Sequence, residues 1–229
     1  MNVLYCDNQI LVAVKPPNMP SQADASGDLD MLTALKEFIG IKYAKPGNVY
    51  LGLVHRLDRP AGGVMVFART SKAAARLGAQ FADHAQGRRY LAVVKGGVPA
   101  PFLLVDWLAK GADGMVRVSK EGDPLAKRAE LRSVPLACRN GLTLLDVELA
   151  TGRAHQIRVQ HANAGYPLWG DARYGGGKPG EQLALWAYSL SFQHPTRDEI
   201  LKFAKMPPEG APWEYFHDII VERFANEEG

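Results

Sequence analysis

The 229-residue chain lacks the features that mark several classes of protein. Its only two cysteines, Cys6 and Cys138, lie far apart and form no CxxC pattern. This argues against a disulfide scaffold and a cysteine zinc site, and it predicts a protein of the reducing cytoplasm. No run of about twenty apolar residues is present, so no membrane span is expected. Met1 to Val14 contains no basic segment followed by a long apolar run, so no signal peptide is expected.

The motifs of nucleotide, metal and serine chemistry are missing as well. The six histidines form neither HxxxH nor HExxH, which argues against a metal centre. GxSxG and the zinc deaminase signature are absent, so a serine hydrolase and that class of base-modifying enzyme have no support. The glycine-rich segment 175–180 has Pro179 where a Walker loop needs serine or threonine, which predicts a surface turn. We therefore expect no cofactor and no metal.

The chain carries little net charge, +3, but its charges are unevenly distributed. Between His55 and Lys95 there are eight lysines and arginines against two acids, whereas from Asp198 onward there are eight acids against three bases. A local basic excess favours a polyanionic partner. A solvated helix face with compensating charge elsewhere explains the same excess, so charge alone leaves both interpretations open.

Short apolar segments predict an α+β fold with a mixed, largely antiparallel sheet flanked by helices. Strand-like segments outnumber helix-like ones and do not alternate with them regularly, which argues against a doubly wound fold. Strands are expected at 10–14, 49–54, 64–68, 90–94, 115–119, 129–134, 142–149 and 183–192. Helices are expected from a cap at Asp28 or Asp30 to Gly40, from a cap at Thr70 or Ser71 to Gly87, at 154–163, and from Pro212 onward. No linker or repeat divides the chain, so residues 1–229 are expected to form one domain.

Three polar segments contain the residues best suited to chemistry. The first is residues 55–63 (HRLDRPAGG), a loop between two strands in which Asp58 is flanked by Arg56 and Arg59. An acid in such a loop is poised for chemistry at a sheet surface. A structural ion-pair loop is an equally open interpretation.

The second segment, Arg88-Arg89-Tyr90, opens a strand. Paired arginines can hold a backbone phosphate while the tyrosine ring stacks on a base. An edge strand with a half-buried tyrosine would have the same sequence, and in isolation this segment favours that interpretation.

The third segment is residues 151–161 (TGRAHQIRVQH), predicted to begin a helix capped by Thr151. His155 and Arg158 are three residues apart and would share one helical face, near the partial positive charge of the helix N-terminus. An amphipathic helix with solvated basic residues remains open as an alternative.

Taken together and in this order, the segments resemble a known family. Residues 55–58 (HRLD), Tyr90 in its strand and residues 151–158 (TGRAHQIR) are similar to three signature motifs of the RluA-type pseudouridine synthases. Lys15-Pro16 resembles the first motif of that family, and residues 166–175 (YPLWGDARYG) resemble the segment after its third. The resemblance implies a pseudouridine synthase-like catalytic domain that isomerises uridines in structured ribosomal or transfer RNA.

The resemblance also implies roles for individual residues. Asp58 matches the essential aspartate, Tyr90 the tyrosine that stacks on the target base and helps remove its C5 proton, and Arg158 the basic residue paired with the aspartate. Arg56 matches a position that supports the flipped-out base. Substrate contacts are expected from the basic residues of the three segments, namely His55, Arg56, Arg88, Arg89, Arg153 and His155.

Pseudouridine formation breaks the N1–C1′ bond, turns the base and rejoins it through C5. The aspartate can attack C1′, add to C6, or deprotonate the sugar to give a glycal, and the sequence leaves these routes open. RNA is the expected partner, and we expect a monomer. Many relatives begin with a small basic RNA-binding domain, which is not expected here because the first motif follows so soon after Met1.

Two other functions fit part of the pattern. A non-catalytic RNA-binding protein can share the fold, although it has no need of Asp58, Tyr90 and Arg158 together, and a uridine-conversion assay separates the two. A glycoside hydrolase also attacks a glycosidic bond but usually needs two carboxylates across the sugar. No second acid accompanies Asp58 in these motifs.

Overall fold

Eleven strands, four α-helices and one 3-10 helix make up the part of the chain that the structure describes. This computed structural model describes residues 1–44, 47–83, 87–178 and 181–225, so Pro179 and the glycine after it lie outside the described residues. The strands are β1 (Asn2–Cys6), β2 (Ile10–Lys15), β3 (Gly52–Leu53), β4 (Gly62–Ala68), β5 (Gly87–Lys95), β6 (Phe102–Lys110), β7 (Val116–Ser119), β8 (Ala126–Arg139), β9 (Leu142–Leu149), β10 (Leu185–Gln193) and β11 (Ile200–Ala204). The helices are α1 (Met31–Lys42), α2 (Ser71–Ala82), α3 (Gln156–Asn163), the 3-10 helix (Trp213–Phe216) and α4 (His217–Ala225).

The fold class is α+β, with a mixed and largely antiparallel sheet, which confirms the prediction. The chain forms two compact units, and most contacts between residues lie within one unit or the other. Of the helices in the described ranges, none has the length and apolar character that crossing a bilayer requires.

The first unit comprises residues 1–87 and 187–205. Within it, β2 pairs antiparallel with β1 and β4, β3 pairs with β4, and β11 pairs with β10. Helix α2 forms because Ala73, Leu77 and Phe81 recur on one face and pack in one cluster with residues of β2, β4 and β10. Thr70 caps this helix by accepting a hydrogen bond from the amide of Ala73 at 3.1 Å.

The predicted ends of the first two helices are wrong. Helix α1 is capped by Asp30, as expected, but runs through Gly40 to Lys42. A glycine inside a helix costs about 1 kcal/mol relative to alanine, which the buried apolar face of α1 offsets. Helix α2 ends at Ala82, and Gly87 is the first residue of β5.

The second unit comprises residues 88–186 and the chain from Met206 onward. Its strands follow the order β5-β9-β8-β6-β7, and each neighbouring pair is antiparallel. Helix α3 lies on one face of this sheet, where Val159 packs with Leu108 and Ala129. Arg139 of β8 pairs with Asp218 of α4 through two hydrogen bonds of 2.6 and 2.8 Å.

Candidate active site

Asp58 lies in the first unit, in the loop between β3 and β4, and its side chain is half-buried. Buried side chains hold the backbone on either side of it. Ser21 Oγ donates to the carbonyl of Leu57 at 2.8 Å and accepts from the Leu57 amide at 3.2 Å. Lys15 Nζ donates to the carbonyl of Arg59 at 3.1 Å. Contacts within the protein therefore fix the backbone that presents Asp58.

Lys15 also belongs to the candidate site. The sequence indicated this residue only because Lys15-Pro16 resembles the first motif of the family. Its side chain is 0% exposed. Its Nζ donates to the carbonyls of Pro16 (3.1 Å), Met19 (2.6 Å) and Arg59 (3.1 Å), which match the three N–H groups of an ammonium. Burial lowers the pKa of Lys15 to about 7, while the negative charge of Asp58 acts to raise it. Lys15 is thus a buried amine that interacts electrostatically with Asp58 inside one unit.

His55 and Arg56 precede Asp58 and have different environments. His55 Nε2 accepts a hydrogen bond from the amide of Val66 at 3.0 Å, and its ring stacks on Phe81 with centroids 4.4 Å apart. These contacts give His55 a structural role in the loop. Arg56 is exposed and therefore accessible to a polyanion.

In the second unit, Arg88, Arg89 and Tyr90 follow one another in β5. Successive residues of a strand point to opposite faces, so Arg88 shares the face of the buried Tyr90 and Arg89 lies on the other. Arg89 donates to Asp146 at 3.3 Å from Nε and 2.8 Å from Nη2, and Arg223 binds the same carboxylate at 3.0 Å. Burial lowers the pKa of Arg88, and Tyr90 acts to raise it. Arg88 and Arg89 therefore lie on opposite faces of β5, and Arg89 forms an ion pair with Asp146.

The third segment begins its helix later than its spacing suggested. Thr151 does not cap α3, because its Oγ1 accepts from the amide of Glu130 and donates to Gln156 Oε1, each at 2.8 Å. The residue before the helix is His155, whose φ of 52° and ψ of 20° are left-handed. His155 therefore lies outside the helix that carries Arg158, and the predicted shared helical face is wrong.

Tyr174 contacts both His155 and Arg158, and the sequence indicated it only as part of residues 166–175, which resemble a segment of the family. Its hydroxyl lies 2.7 Å from His155 Nδ1. Its ring centroid lies 5.1 Å from the guanidinium carbon of Arg158. Arg158 also donates from Nε and Nη2 to both oxygens of Asp171, each at 2.8 Å. Burial acts to raise the pKa of Asp171, but the hydrogen bonds and charge of Arg158, together with two backbone amides, hold it below its usual value.

Arg153 and Arg88 each make a further contact within the second unit. Arg153 Nε donates to the carbonyl of Arg128 at 3.0 Å. The guanidinium of Arg88 occupies the space beside Gly152, where an added Cβ would lie 3.2 Å from Arg88 Cζ and closer still to Nη1. Glycine at position 152 therefore admits Arg88 next to the third segment.

The predicted residues are thus divided between the units, with Asp58, His55 and Arg56 in the first and the others in the second. Within the second unit the structure brings His155 and Arg158 together around Tyr174, brings Arg88 to Gly152, and directs Arg89 elsewhere. The described residues contain no group of three or more histidine, cysteine, aspartate or glutamate side chains that could hold a metal ion.

Comparison with known proteins identifies the family. A family model described as RNA pseudouridylate synthase matches residues 9–163, more than half of the chain. Ribosomal large subunit pseudouridine synthase D of Zymomonas mobilis is 32% identical, covering 91% of this chain and 70% of that protein. Ribosomal large subunit pseudouridine synthase C of Escherichia coli K12 is 33% identical, covering 91% of this chain and 67% of that protein.

A solved structure agrees with the fold. Human RNA pseudouridylate synthase domain containing 4 superimposes with a TM-score of 0.75, at 20% identity, covering 97% of this chain and 92% of that one. The resemblance to RluA-type synthases that the motifs predicted is confirmed by the matching family and relatives. The chain therefore belongs to the RNA pseudouridylate synthase family and is an RNA pseudouridine synthase, an isomerase.

Proposed function

We propose that this enzyme converts specific uridines of ribosomal RNA into pseudouridine, with Asp58 as the catalytic carboxylate. The observation that carries the proposal is the Asp58 loop, whose neighbouring carbonyls are held by Ser21 and Lys15. Catalysis is most effective when the reacting group is held in place before the substrate arrives, because no reorganisation is then needed during the reaction. The names of the two bacterial relatives favour ribosomal RNA over transfer RNA as the target.

The reaction is an isomerisation in which atoms and electrons balance within the nucleotide. The N1–C1′ bond breaks, a C5–C1′ bond forms, the proton on C5 leaves, and N1 gains a proton. Asp58 acts in this sequence as a nucleophile on C1′ or C6, or as a base on the sugar. All three roles need an ionised carboxylate with a fixed direction of approach, which the anchored loop supports.

We assign Tyr90 and Arg158 to the same reaction. Tyr90 stacks on the extruded base, and its hydroxyl assists removal of the C5 proton. Arg158 supplies positive charge to the reaction, as the resemblance of its motif implies. Extruding a base costs a few kcal/mol, which stacking and basic contacts offset.

Contacts with the RNA backbone are assigned to residues whose surroundings suit them. These are Arg56, Arg88, Arg153 and His155. We assign His55 to support of the loop and Arg89 to the ion pair with Asp146, because their described contacts serve those purposes.

We also propose that both units belong to one catalytic domain, because the segment matched by the family model, residues 9–163, includes parts of each. The free thiols of Cys6 and Cys138 are compatible with action in the cytoplasm.

The proposed target is tested by mapping pseudouridines in ribosomal and transfer RNA from cells with and without this protein. We expect pseudouridine to be lost at one or a few positions of ribosomal RNA and restored when the protein is returned. Loss confined to transfer RNA would contradict the proposed target. Unchanged maps, with no conversion of either RNA by the purified protein, would instead favour a non-catalytic RNA-binding protein.

A further inference from the structure

The segment from Asp171 to Tyr174, here called the Asp171–Tyr174 loop, contacts both Arg158 and His155. Building on the roles proposed above for these two residues, we propose that Asp171 and Tyr174 are positioning residues for the isomerisation. Asp171 fixes the guanidinium of Arg158, and Tyr174 fixes the imidazole of His155 while supporting Arg158 with its ring.

Asp171 sets the orientation of the Arg158 guanidinium as well as pairing with its charge. Both carboxylate oxygens accept from the guanidinium at 2.8 Å, from Nε and from Nη2. Oδ1 also accepts from the amides of Arg173 (3.0 Å) and Tyr174 (3.1 Å), so the backbone of the loop orients the carboxylate. Because the guanidinium is planar and rigid, holding its Nε–Nη2 edge sets the orientation of the whole group.

Tyr174 adds a second support for the same guanidinium. Its ring centroid lies 5.1 Å from the guanidinium carbon of Arg158, within the range of a cation–π interaction. The ring also packs against the cluster formed by Leu108, Val116 and Val159. Arg158 is thus held at its edge by a carboxylate and supported by an aromatic ring.

The hydroxyl of Tyr174 connects the loop to His155. It accepts from the amide of Val116 at 3.1 Å and lies 2.7 Å from His155 Nδ1. The Val116 amide thus anchors the hydroxyl to β7, and the hydrogen bond between the hydroxyl and Nδ1 fixes the orientation of the imidazole in either tautomer. An imidazole with a fixed orientation suits the contact with the RNA backbone that we propose for His155.

The backbone of His155 supports a functional reason for this bond. A φ of 52° lies in the left-handed region, which residues other than glycine seldom adopt. Such residues are maintained only where their surroundings over-determine the conformation, and they cluster at functional sites. The hydrogen bond with Tyr174 is one contact that holds His155 in this conformation.

The test uses the full chain and follows release of tritium from C5-labelled uridine in unmodified ribosomal and transfer RNA transcripts. Tyr174→Phe keeps the ring beneath Arg158 and removes only the hydroxyl. We expect kcat to fall about tenfold, the effect of losing the hydrogen bond between the hydroxyl and His155. We expect the melting temperature to fall no more than it does for Tyr5→Phe. Tyr5→Phe is the matched control, because its hydroxyl also makes two hydrogen bonds, with Asp7 at 3.0 Å and Arg197 at 2.7 Å, and lies in the first unit.

A double-mutant cycle distinguishes positioning from general support of the fold. If the hydroxyl acts through His155, then Tyr174→Phe has no further effect on kcat in a His155→Ala background. A purely structural role would lower the melting temperature in both backgrounds and leave kcat per folded molecule unchanged.

Parent kcat for Tyr174→Phe, or independent effects of the two substitutions, would overturn the inference. Asp58→Asn is measured alongside to separate the two proposals. A fully active Asp58→Asn enzyme overturns the proposed function, whatever Tyr174→Phe does. An inactive Asp58→Asn enzyme beside a fully active Tyr174→Phe enzyme overturns only the role of the loop.

Discussion

Arg158 and Asp171 form a buried ion pair in which two guanidinium nitrogens meet two carboxylate oxygens at 2.8 Å each. Their side chains are 6% and 0% exposed. Removing one partner of such a pair leaves an uncompensated charge in the interior and costs about 3–5 kcal/mol. Loss of activity in Arg158→Ala therefore has two possible causes, the loss of a catalytic group and the loss of stability.

A double variant separates these two causes. We expect the free energy of unfolding of Arg158→Ala to fall by about 3–5 kcal/mol. Arg158→Met combined with Asp171→Leu should recover most of that loss, because no charge is left unpaired. Both enzymes should be nearly inactive if Arg158 takes part in the reaction. Urea unfolding and tritium release measure the two effects, and an active double variant would reduce Arg158 to a structural residue.

Tyr90 is expected to act through both its ring and its hydroxyl. Tyr90→Phe keeps the stacking surface, worth about 1–3 kcal/mol, and should therefore bind RNA as the parent does. Conversion should slow, because the hydroxyl that assists removal of the C5 proton is gone. Filter binding and single-turnover tritium release measure the two properties on the same RNA. Turnover at the parent rate would leave Tyr90 as a stacking platform only.

Because His161 is buried, we expect the stability of the protein to depend on pH. It is buried in α3, where Nδ1 lies 2.7 Å from the carbonyl of Ile157 and Nε2 lies 2.8 Å from Ser133 Oγ. Burial lowers the pKa of His161 to about 4, although the hydrogen bond with Ile157 acts to raise it. Between the usual pKa of 6.5 and this value, the unfolded chain binds more protons than the folded one. Stability therefore falls as the pH is lowered through this window.

The His161 contribution should amount to about 2 kcal/mol between pH 6.5 and pH 5. His161→Gln cannot take up this proton, so its free energy of unfolding should decline less over the same range. Urea unfolding of both proteins at several pH values gives the difference. Parallel declines in the parent and the variant would contradict a neutral, buried His161.

Regular elements were predictable where the apolar period was unambiguous. Strand β9 lies at the predicted residues, and α2 follows from Thr70 and its apolar face. Strand β6 was missed because Leu103 and Val105 are 59% and 46% exposed, so apolar side chains occur on both faces and the expected alternation is absent. Strands β1 and β11 were missed because neither contains a fully buried residue, so no apolar face stands out.

The candidate site was predictable only in part, because its geometry depends on distant residues. Asp58, Tyr90 and Arg158 are candidates that the motifs indicated. Lys15 reaches the Asp58 loop across 44 positions of sequence, and Tyr174 reaches His155 across 19. No local spacing encodes such contacts, and the left-handed turn at His155 likewise disagrees with a simple helical period.

The basic segment from His55 to Lys95 predicts RNA binding that weakens as salt is raised. Each neutralised phosphate of a single strand contributes a log–log slope of about −0.7. The exposed Arg56 should account for one such contact, so Arg56→Ala should make the slope less steep by about that amount. Arg117→Ala, which removes an exposed arginine outside this segment, is the control and should keep the parent slope. Equal slopes for parent and Arg56→Ala would remove Arg56 from the RNA contact.

The central claim, that Asp58 is the catalytic carboxylate, is tested most directly by tritium release from C5-labelled RNA with the Asp58→Asn enzyme. The amide keeps the shape of the side chain but can act neither as a nucleophile nor as a base. Asp83→Asn, which replaces the other acid of the basic segment, is the matched control and should keep parent activity. The account predicts no release above background by Asp58→Asn, with the RNA affinity and melting temperature of the parent. Release at the parent rate would contradict it.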